Sequence, residues 1–306
     1  MTETQRTGNM PALHKTLVES LSRSLTAFQS SADQFRVLCS LPWTAEGNAT
    51  NNTSEARARA ATSGKQAQKL VVMDSSFNPP TRAHATMLRS ALDAVRHVRQ
   101  DGNETTRVLL LLAVKNADKA PQPAAFPSRL GMMAAFGQEI RSWEDVPEFY
   151  VDVGVTTKPY FHDKALAIQQ SGFYGTTPEQ IFLAGFDTLI RVFNPKYYGE
   201  AEGGMQAALS PFFESSRLRI TLRGDDEWGS ADEQRRWVKE LADGGLEERG
   251  GRREWLDMIE LVDGVEGEAV SSSRVREAVK LGESVERMVG REVISCIEEE
   301  GLYRDG

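Results

Sequence analysis

The chain reads as an α/β protein with a doubly wound parallel sheet, and two features of the sequence lead there. Short apolar runs of strand length alternate with stretches of helical periodicity from residue 69 onward. The run from Val108 to Val114 is apolar throughout, as a strand buried on both faces requires. A chain of 306 residues is also long enough to bury a core without metals or disulfides.

Taken in order, Leu17, Leu21, Leu25, Phe28, Phe35 and Leu38 fall at helical spacing and predict one or two amphipathic helices in an N-terminal extension, residues 1–43. Residues 44–68 have almost nothing to bury and read as a linker. The main domain, 69–306, opens with a strand at Lys69–Met73 and a helix at Ala83–Val98. Further strands are expected at Val108–Val114, Phe149–Val155, Ile181–Ala184 and Leu218–Leu222. Helices at Arg129–Phe136, Lys164–Gln170 and Asp187–Val192 separate them. Right-handed crossovers then place helices on both faces. Residues 223–253 are charged and Gly-rich around one helix, Asp232–Leu241, and read as a surface excursion. Trp255–Val262 returns to the sheet, and helices at Ser273–Lys280 and Glu292–Glu299 follow.

A net charge of −8 argues against an extended polyanion as partner, because nucleic-acid binding rests on cation–phosphate contacts. A small anionic substrate stays open, since a few local cations override the global sign. Cys39 and Cys296 are far apart in sequence and match no disulfide or zinc pattern, so they read as free thiols in a reducing compartment. No apolar run approaches a membrane span and no leader is apparent, which predicts a soluble protein of the cytoplasm or nucleus.

In an open parallel sheet the residues after each strand face the ligand. The first strand is followed by Asp74-Ser75-Ser76-Phe77-Asn78-Pro79-Pro80-Thr81-Arg82-Ala83-His84. The prolines delay the helix to Thr81, a good N-cap residue, and His84 falls one turn later. Both side chains can then face a phosphate-sized space at a helix N-terminus. The same spacing suits a plain cap and a surface histidine. Ser271, Ser272 and Ser273 precede another short helix with Arg276 in its first turn, a pattern that fits an anion and fits a capped surface helix as well. Gly185 and Asp187 follow the fourth strand, where glycine permits close approach of a ligand or simply serves the turn.

Ser75-Ser76-Phe77-Asn78-Pro79-Pro80-Thr81, with His84, resembles the G-x-F-[ND]-P-x-[HT]-x-x-H signature of the nucleotidylyltransferase superfamily. Asn78 and Thr81 resemble the nicotinamide mononucleotide (NMN) adenylyltransferases in particular. Val270 to Arg276 resembles that family's late I-S-S-T-x-I-R motif, and Gly185-Phe186-Asp187 its G-x-D. Residues 115–119 with Arg129 resemble the polar loop and helix after its second strand. The resemblance spans roughly residues 70–281 and implies a Rossmann-like nucleotidylyltransferase fold.

It also implies direct, in-line adenylyl transfer from ATP to NMN or nicotinate mononucleotide, with Mg²⁺ carried by the nucleotide and no separate metal ligands. His84, Thr81 and Arg276 would be catalytic. Ser76, Phe77, Asn78, Lys119, Gly185, Asp187, Ser271, Ser272 and Ser273 would bind nucleotide. The chain departs from the family at Ser75, where a glycine is usual, and in residues 153–158, which lack the tryptophan–glutamate pair that reads nicotinamide. Tyr160 and Phe161 can stack on a flat ring there or serve as core aromatics. Two other readings remain: a nucleotidylyltransferase with another acceptor, and a nucleotide-binding regulatory or scaffold protein with weak or no turnover. A homo-oligomer is compatible with the sequence.

Overall fold

A computed structural model describes residues 10–41, 67–98, 105–114, 123–144, 149–175, 178–199, 203–222, 228–265 and 270–304. In chain order these form α1 (Met10–Gln29), β1 (Phe35–Leu41), β2 (Lys69–Asp74), α2 (Arg82–Val98), β3 (Thr106–Ala113), α3 (Phe126–Arg141), β4 (Tyr150–Thr156), α4 (Phe161–Gln170), β5 (Glu179–Gly185) and α5 (Phe186–Val192). There follow α6 (Gly204–Ser215), β6 (Ser216–Leu222), α7 (Ala231–Glu240), α8 (Leu246–Glu248), β7 (Ile259–Asp263), α9 (Ser272–Lys280) and α10 (Arg291–Glu299).

The strands make one seven-stranded sheet in the order β1-β4-β3-β2-β5-β6-β7. Every pairing from β4 to β7 is parallel, and β1 alone runs antiparallel, against β4. Both faces are covered, and β2 and β3 feed both cores by simple alternation. Val71, Met73, Val108, Leu110 and Leu112 enter the core beneath α1, α2, α3 and α10. Leu70, Val72, Leu109 and Leu111 enter the core beneath α4, α5 and α6. This double burial is why these strands are apolar runs without alternation.

One expectation is corrected. Phe35 to Leu38 do not continue the N-terminal helix; α1 stops near Gln29, where Ser31 Oγ donates to the Phe28 carbonyl (2.8 Å). The next segment is the edge strand β1. Its register shifts between Val37 and Cys39, and this bulge lets both Leu38 and Cys39 reach the same core. Breaking strict alternation left an apolar spacing that imitates a helix. β1 is pinned by a buried network: Arg107 donates to both Asp152 oxygens (Nε 2.9 Å, Nη2 2.7 Å), and Ser40 Oγ donates to Asp152 at 2.5 Å.

The other differences are smaller. α6 had no counterpart in the sequence reading, and the return to the sheet begins only at Ile259, after a short 3₁₀ turn at Arg253–Met258. α7 is started by a full capping box between Ser230 and Glu233. Residues 44–66 of the expected linker and Lys119 lie outside the described residues. Cys39 and Cys296 are buried and neither is in a disulfide, and burial with Asp152 nearby pushes the Cys39 thiol up to about 12. No helix among the described residues is long and apolar enough to cross a membrane.

Candidate active site

β2 ends at Asp74 and has β3 on one side and β5 on the other, so a crevice opens at its carboxyl end, the switch point of the sheet. Two cavities occupy it. One, of about 300 Å³, lies toward β5, β6 and β7 and is lined by His84, Gly185, Thr221 and Gly264 among others. The second, of about 340 Å³, lies toward β3, α4 and α5 and is lined by Ser76, Arg129, Tyr160, Lys164 and Tyr198 among others. Asp74, Ser75, Phe161, Asp187 and Thr188 belong to both walls.

The loop from β2 to α2 forms the junction. Phe77 has φ +45°, a left-handed conformation that costs a non-glycine residue about 1–3 kcal/mol, and its fully buried ring helps to offset that cost. The ring lies 5.7 Å from that of His84. Asn78 is fully buried; its Oδ1 accepts from the Tyr303 hydroxyl (2.7 Å), and its carbonyl accepts from Arg276 Nη1 (2.8 Å). Ser272 Oγ donates to the Pro79 carbonyl (2.8 Å). The end of the chain thus holds the loop.

Thr81 sits at the N-cap position of α2. Its backbone N–H donates to His84 Nδ1 (3.0 Å), and its hydroxyl is 2.8 Å from the same nitrogen. The imidazole plays the part that Glu plays in a capping box, reaching back to the N-cap amide. Because Nδ1 accepts, the neutral ring carries its proton on Nε2. Nε2 lies 2.9 Å from Ser75 Oγ, on the wall shared by the cavities.

Around this center stand groups of both signs. Asp74 pairs with Lys164 Nζ from the first turn of α4, and both side chains are nearly buried. Arg129 is buried and donates from Nε to the Ser76 carbonyl (2.7 Å); burial pulls its guanidinium down to about 10, and Tyr303 partly offsets this. Asp187 stands 3.6 Å from Arg191, and a Cβ on Gly185 would come within 2.8 Å of Asp187 Oδ1, so glycine lets the carboxylate fold back on the strand end. In the second cavity Tyr160 stacks on His162 (5.7 Å, 4°) and tilts against Tyr197 (6.1 Å). Burial lowers the His162 pKa, with Asp163 opposing, so the ring favors its neutral form.

Of the residues singled out from sequence, His84, Ser76, Gly185 and Asp187 line the cavities, and Thr81 orients His84. Phe77 and Asn78 are buried in the loop itself. Ser272 and Arg276 are bonded to that loop, Ser273 Oγ accepts from Arg276 (2.9 Å), and Ser271 caps α9 by accepting from the Arg274 amide (3.2 Å). None of these four belongs to either cavity wall. The sequence reading passed over the Asp74–Lys164 pair and the cluster of His162, Tyr197 and Tyr198. Asp74 carried a signal, being a carboxylate at the end of an apolar parallel strand.

A hydroxyl-supported imidazole thus stands between two ligand-sized cavities at the switch point of a parallel sheet. No protein-family model matches the chain. A Schizosaccharomyces pombe (strain 972 / ATCC 24843) protein, provisionally named a nicotinamide mononucleotide adenylyltransferase, is 33% identical over 239 residues, 77% of this chain and 86% of the relative. The chain therefore belongs to the nicotinamide mononucleotide adenylyltransferase family and is an enzyme of the nucleotidyltransferase class. Among solved structures, the Plasmodium falciparum nicotinic acid mononucleotide adenylyltransferase complexed with NaAD aligns with a TM-score of 0.48 at 14% identity, covering 78% of this chain and 98% of that one. The same enzyme complexed with APC gives 0.47 at 13% identity, with the same coverage.

Proposed function

We propose that the chain transfers the adenylyl group of ATP to NMN or nicotinate mononucleotide, releasing pyrophosphate and forming the dinucleotide. The observation that carries this is the pair of cavities sharing one wall at the switch point, with His84 Nε2 beside that wall. An oxygen of the acceptor's phosphate attacks the α-phosphorus of ATP in line. The bond from that phosphorus to the β-phosphate oxygen breaks, and pyrophosphate departs with the electron pair. Such a transfer needs positioning and charge stabilization, and no enzyme nucleophile.

On this reading the ATP occupies the cavity toward β5 to β7 and the acceptor the cavity beside α4. His84, oriented by Thr81, donates from Nε2 to the reacting phosphate, and Ser76, Gly185 and Asp187 contact the nucleotides. Ser271, Ser272, Ser273 and Arg276 hold the β- and γ-phosphates with Lys119; what supports this is that Ser272 and Arg276 are bonded to the loop carrying Thr81. The polar groups at the junction are the Ser75 and Ser76 hydroxyls, the Asp187 carboxylate and the Asp74 carboxylate, the last already paired with Lys164, a set that suits a hydrated Mg²⁺ held mostly by phosphates. When bound, that ion neutralizes the triphosphate. The stacked Tyr160 and His162 offer a flat face to the pyridine in place of the absent tryptophan. The two buried thiols, neither in a disulfide, support residence in a reducing compartment, cytoplasm or nucleus.

The test is purified protein with ATP, Mg²⁺ and each mononucleotide, with dinucleotide and pyrophosphate measured. His84→Ala should lower kcat by about 100- to 1000-fold, the usual consequence of losing one transition-state donor. ATP binding without dinucleotide from either acceptor would instead favor a binding protein with little turnover.

A further inference from the structure

The Asp74–Lys164 ion pair has no role in the transfer as described so far, yet it stands at the reaction center. Asp74 closes β2 and belongs to both cavity walls; Lys164 belongs to the wall of the acceptor cavity. The two side chains retain only 10% and 5% of their exposure. Stability does not account for such a pair, because buried ion pairs roughly break even against apolar residues of similar size. Its placement is unfavorable in a further respect. Lys164 lies in the first turn of α4, with its amide bonded to the Tyr160 carbonyl, where the helix dipole disfavors a cation. An ammonium also has three donors, and the bond to Asp74 takes one while the Phe161 ring lies 5.4 Å from Nζ. Everything about the position suits a second anion.

We infer that Lys164 is a catalytic residue whose ammonium, anchored by Asp74 at the shared wall, grips the acceptor's phosphate as it attacks. This rests on the adenylyl-transfer reading and deepens it, since it requires an acceptor bearing a phosphate next to a planar ring. Arg129, on the same cavity wall beside Ser76, supplies a second cation. Lys164 only donates hydrogen bonds; it moves no proton, and the bonds made and broken are those of the transfer itself. Asp74 is a positioning residue that keeps the ammonium from swinging to solvent.

The experiment uses the full chain, saturating ATP–Mg²⁺ and titrated mononucleotide, comparing wild type with Lys164→Gln, Lys164→Arg and the double variant Asp74→Asn/Lys164→Gln. Lys164→Gln should lower kcat/KM for the acceptor about 100-fold or more, while the Kd for ATP changes less than about threefold. Lys164→Arg should recover part of the loss. The double variant, with neither charge buried, should melt near wild type and remain as inactive as the single one. Acceptor kcat/KM within about threefold of wild type in Lys164→Gln, or recovery of activity in the double variant, overturns the inference, for then the lysine only balances Asp74. If Lys164→Gln fails to fold the double variant decides, and failure of both to fold makes the pair structural and overturns it too. A wild type without turnover defeats the adenylyl-transfer reading itself, whereas an active wild type with an active Lys164→Gln defeats this inference alone.

Discussion

Replacing Tyr303 with Phe removes one oxygen at the far end of the chain and reaches the loop that carries His84. The hydroxyl donates to Asn78 Oδ1 at 2.7 Å, and both residues are buried, so water has no ready access to replace it. Losing a donor to a buried amide oxygen costs about 1–3 kcal/mol. The ring stays, so the cost is that of the hydrogen bond, with no cavity to add to it. Burial already holds the Tyr303 hydroxyl well above the usual tyrosine pKa, so it serves as a neutral donor across the working pH range. Asn78 stands three residues before Thr81, whose amide fixes the His84 ring, so slack at Asn78 is expected to reach that imidazole, which the adenylyl-transfer reading makes catalytic. A shift of about 1 Å at a reacting group can cost about 100-fold in rate. The expected result is a stability loss of about 1–3 kcal/mol by urea unfolding, with kcat falling about 10- to 100-fold and more than KM rises. The reasoning fails if stability drops by this amount while kcat stays at the wild-type value, because the loop would then be held without Tyr303. It fails equally if neither quantity moves.

Two further outcomes bear on the frame around the site. Asp152→Ala leaves Arg107 buried and unpaired and frees Ser40, so it should destabilize the protein by about 3–5 kcal/mol in denaturant titration; a loss under about 1 kcal/mol would mean that β1 is not held by this network. His162, lowered from its usual 6.5 by burial, binds a proton less readily folded than unfolded. Its contribution to stability is therefore complete above pH 6.5 and is lost as the pH falls through the folded value. His162→Gln should flatten that acid limb of the melting-temperature profile, and an unchanged slope would show that another group causes it.

What the sequence made legible was local. The β2–α2 loop could be placed because proline, threonine and histidine chemistry acts within one helical turn, and the structure puts Thr81 and His84 in that relation. β2 and β3 were visible because burial on both faces demands continuous apolar runs. What stayed hidden depends on contacts across the chain. The bulge in β1 is set by its pairing with β4, and no local propensity announces it. Lys164 looks like any lysine on a helix until the fold sets it against Asp74, ninety residues earlier. The late serine–arginine motif was located, but its bonds to Asn78 and Pro79 could not be read from spacing.

The serine that replaces the family's usual glycine can be understood in the same terms. The Ser75 backbone N–H donates to the Leu111 carbonyl at 3.2 Å, extending the pairing of β2 with β3, so that amide is committed to the sheet. Its hydroxyl is the group turned to the junction, 2.9 Å from His84 Nε2 and on both cavity walls. With the ring proton on Nε2, Ser75 Oγ accepts it, and on the adenylyl-transfer reading an incoming phosphate oxygen takes that bond over. Binding then exchanges one neutral hydrogen bond for a charge-assisted one, roughly twice as strong. The hydroxyl, once released, can turn its own proton toward the same phosphate. On the adenylyl-transfer reading, Ser75 thus gives a partner to the Nε2–H that Thr81 sets, before substrate arrives, and adds a donor once it is there.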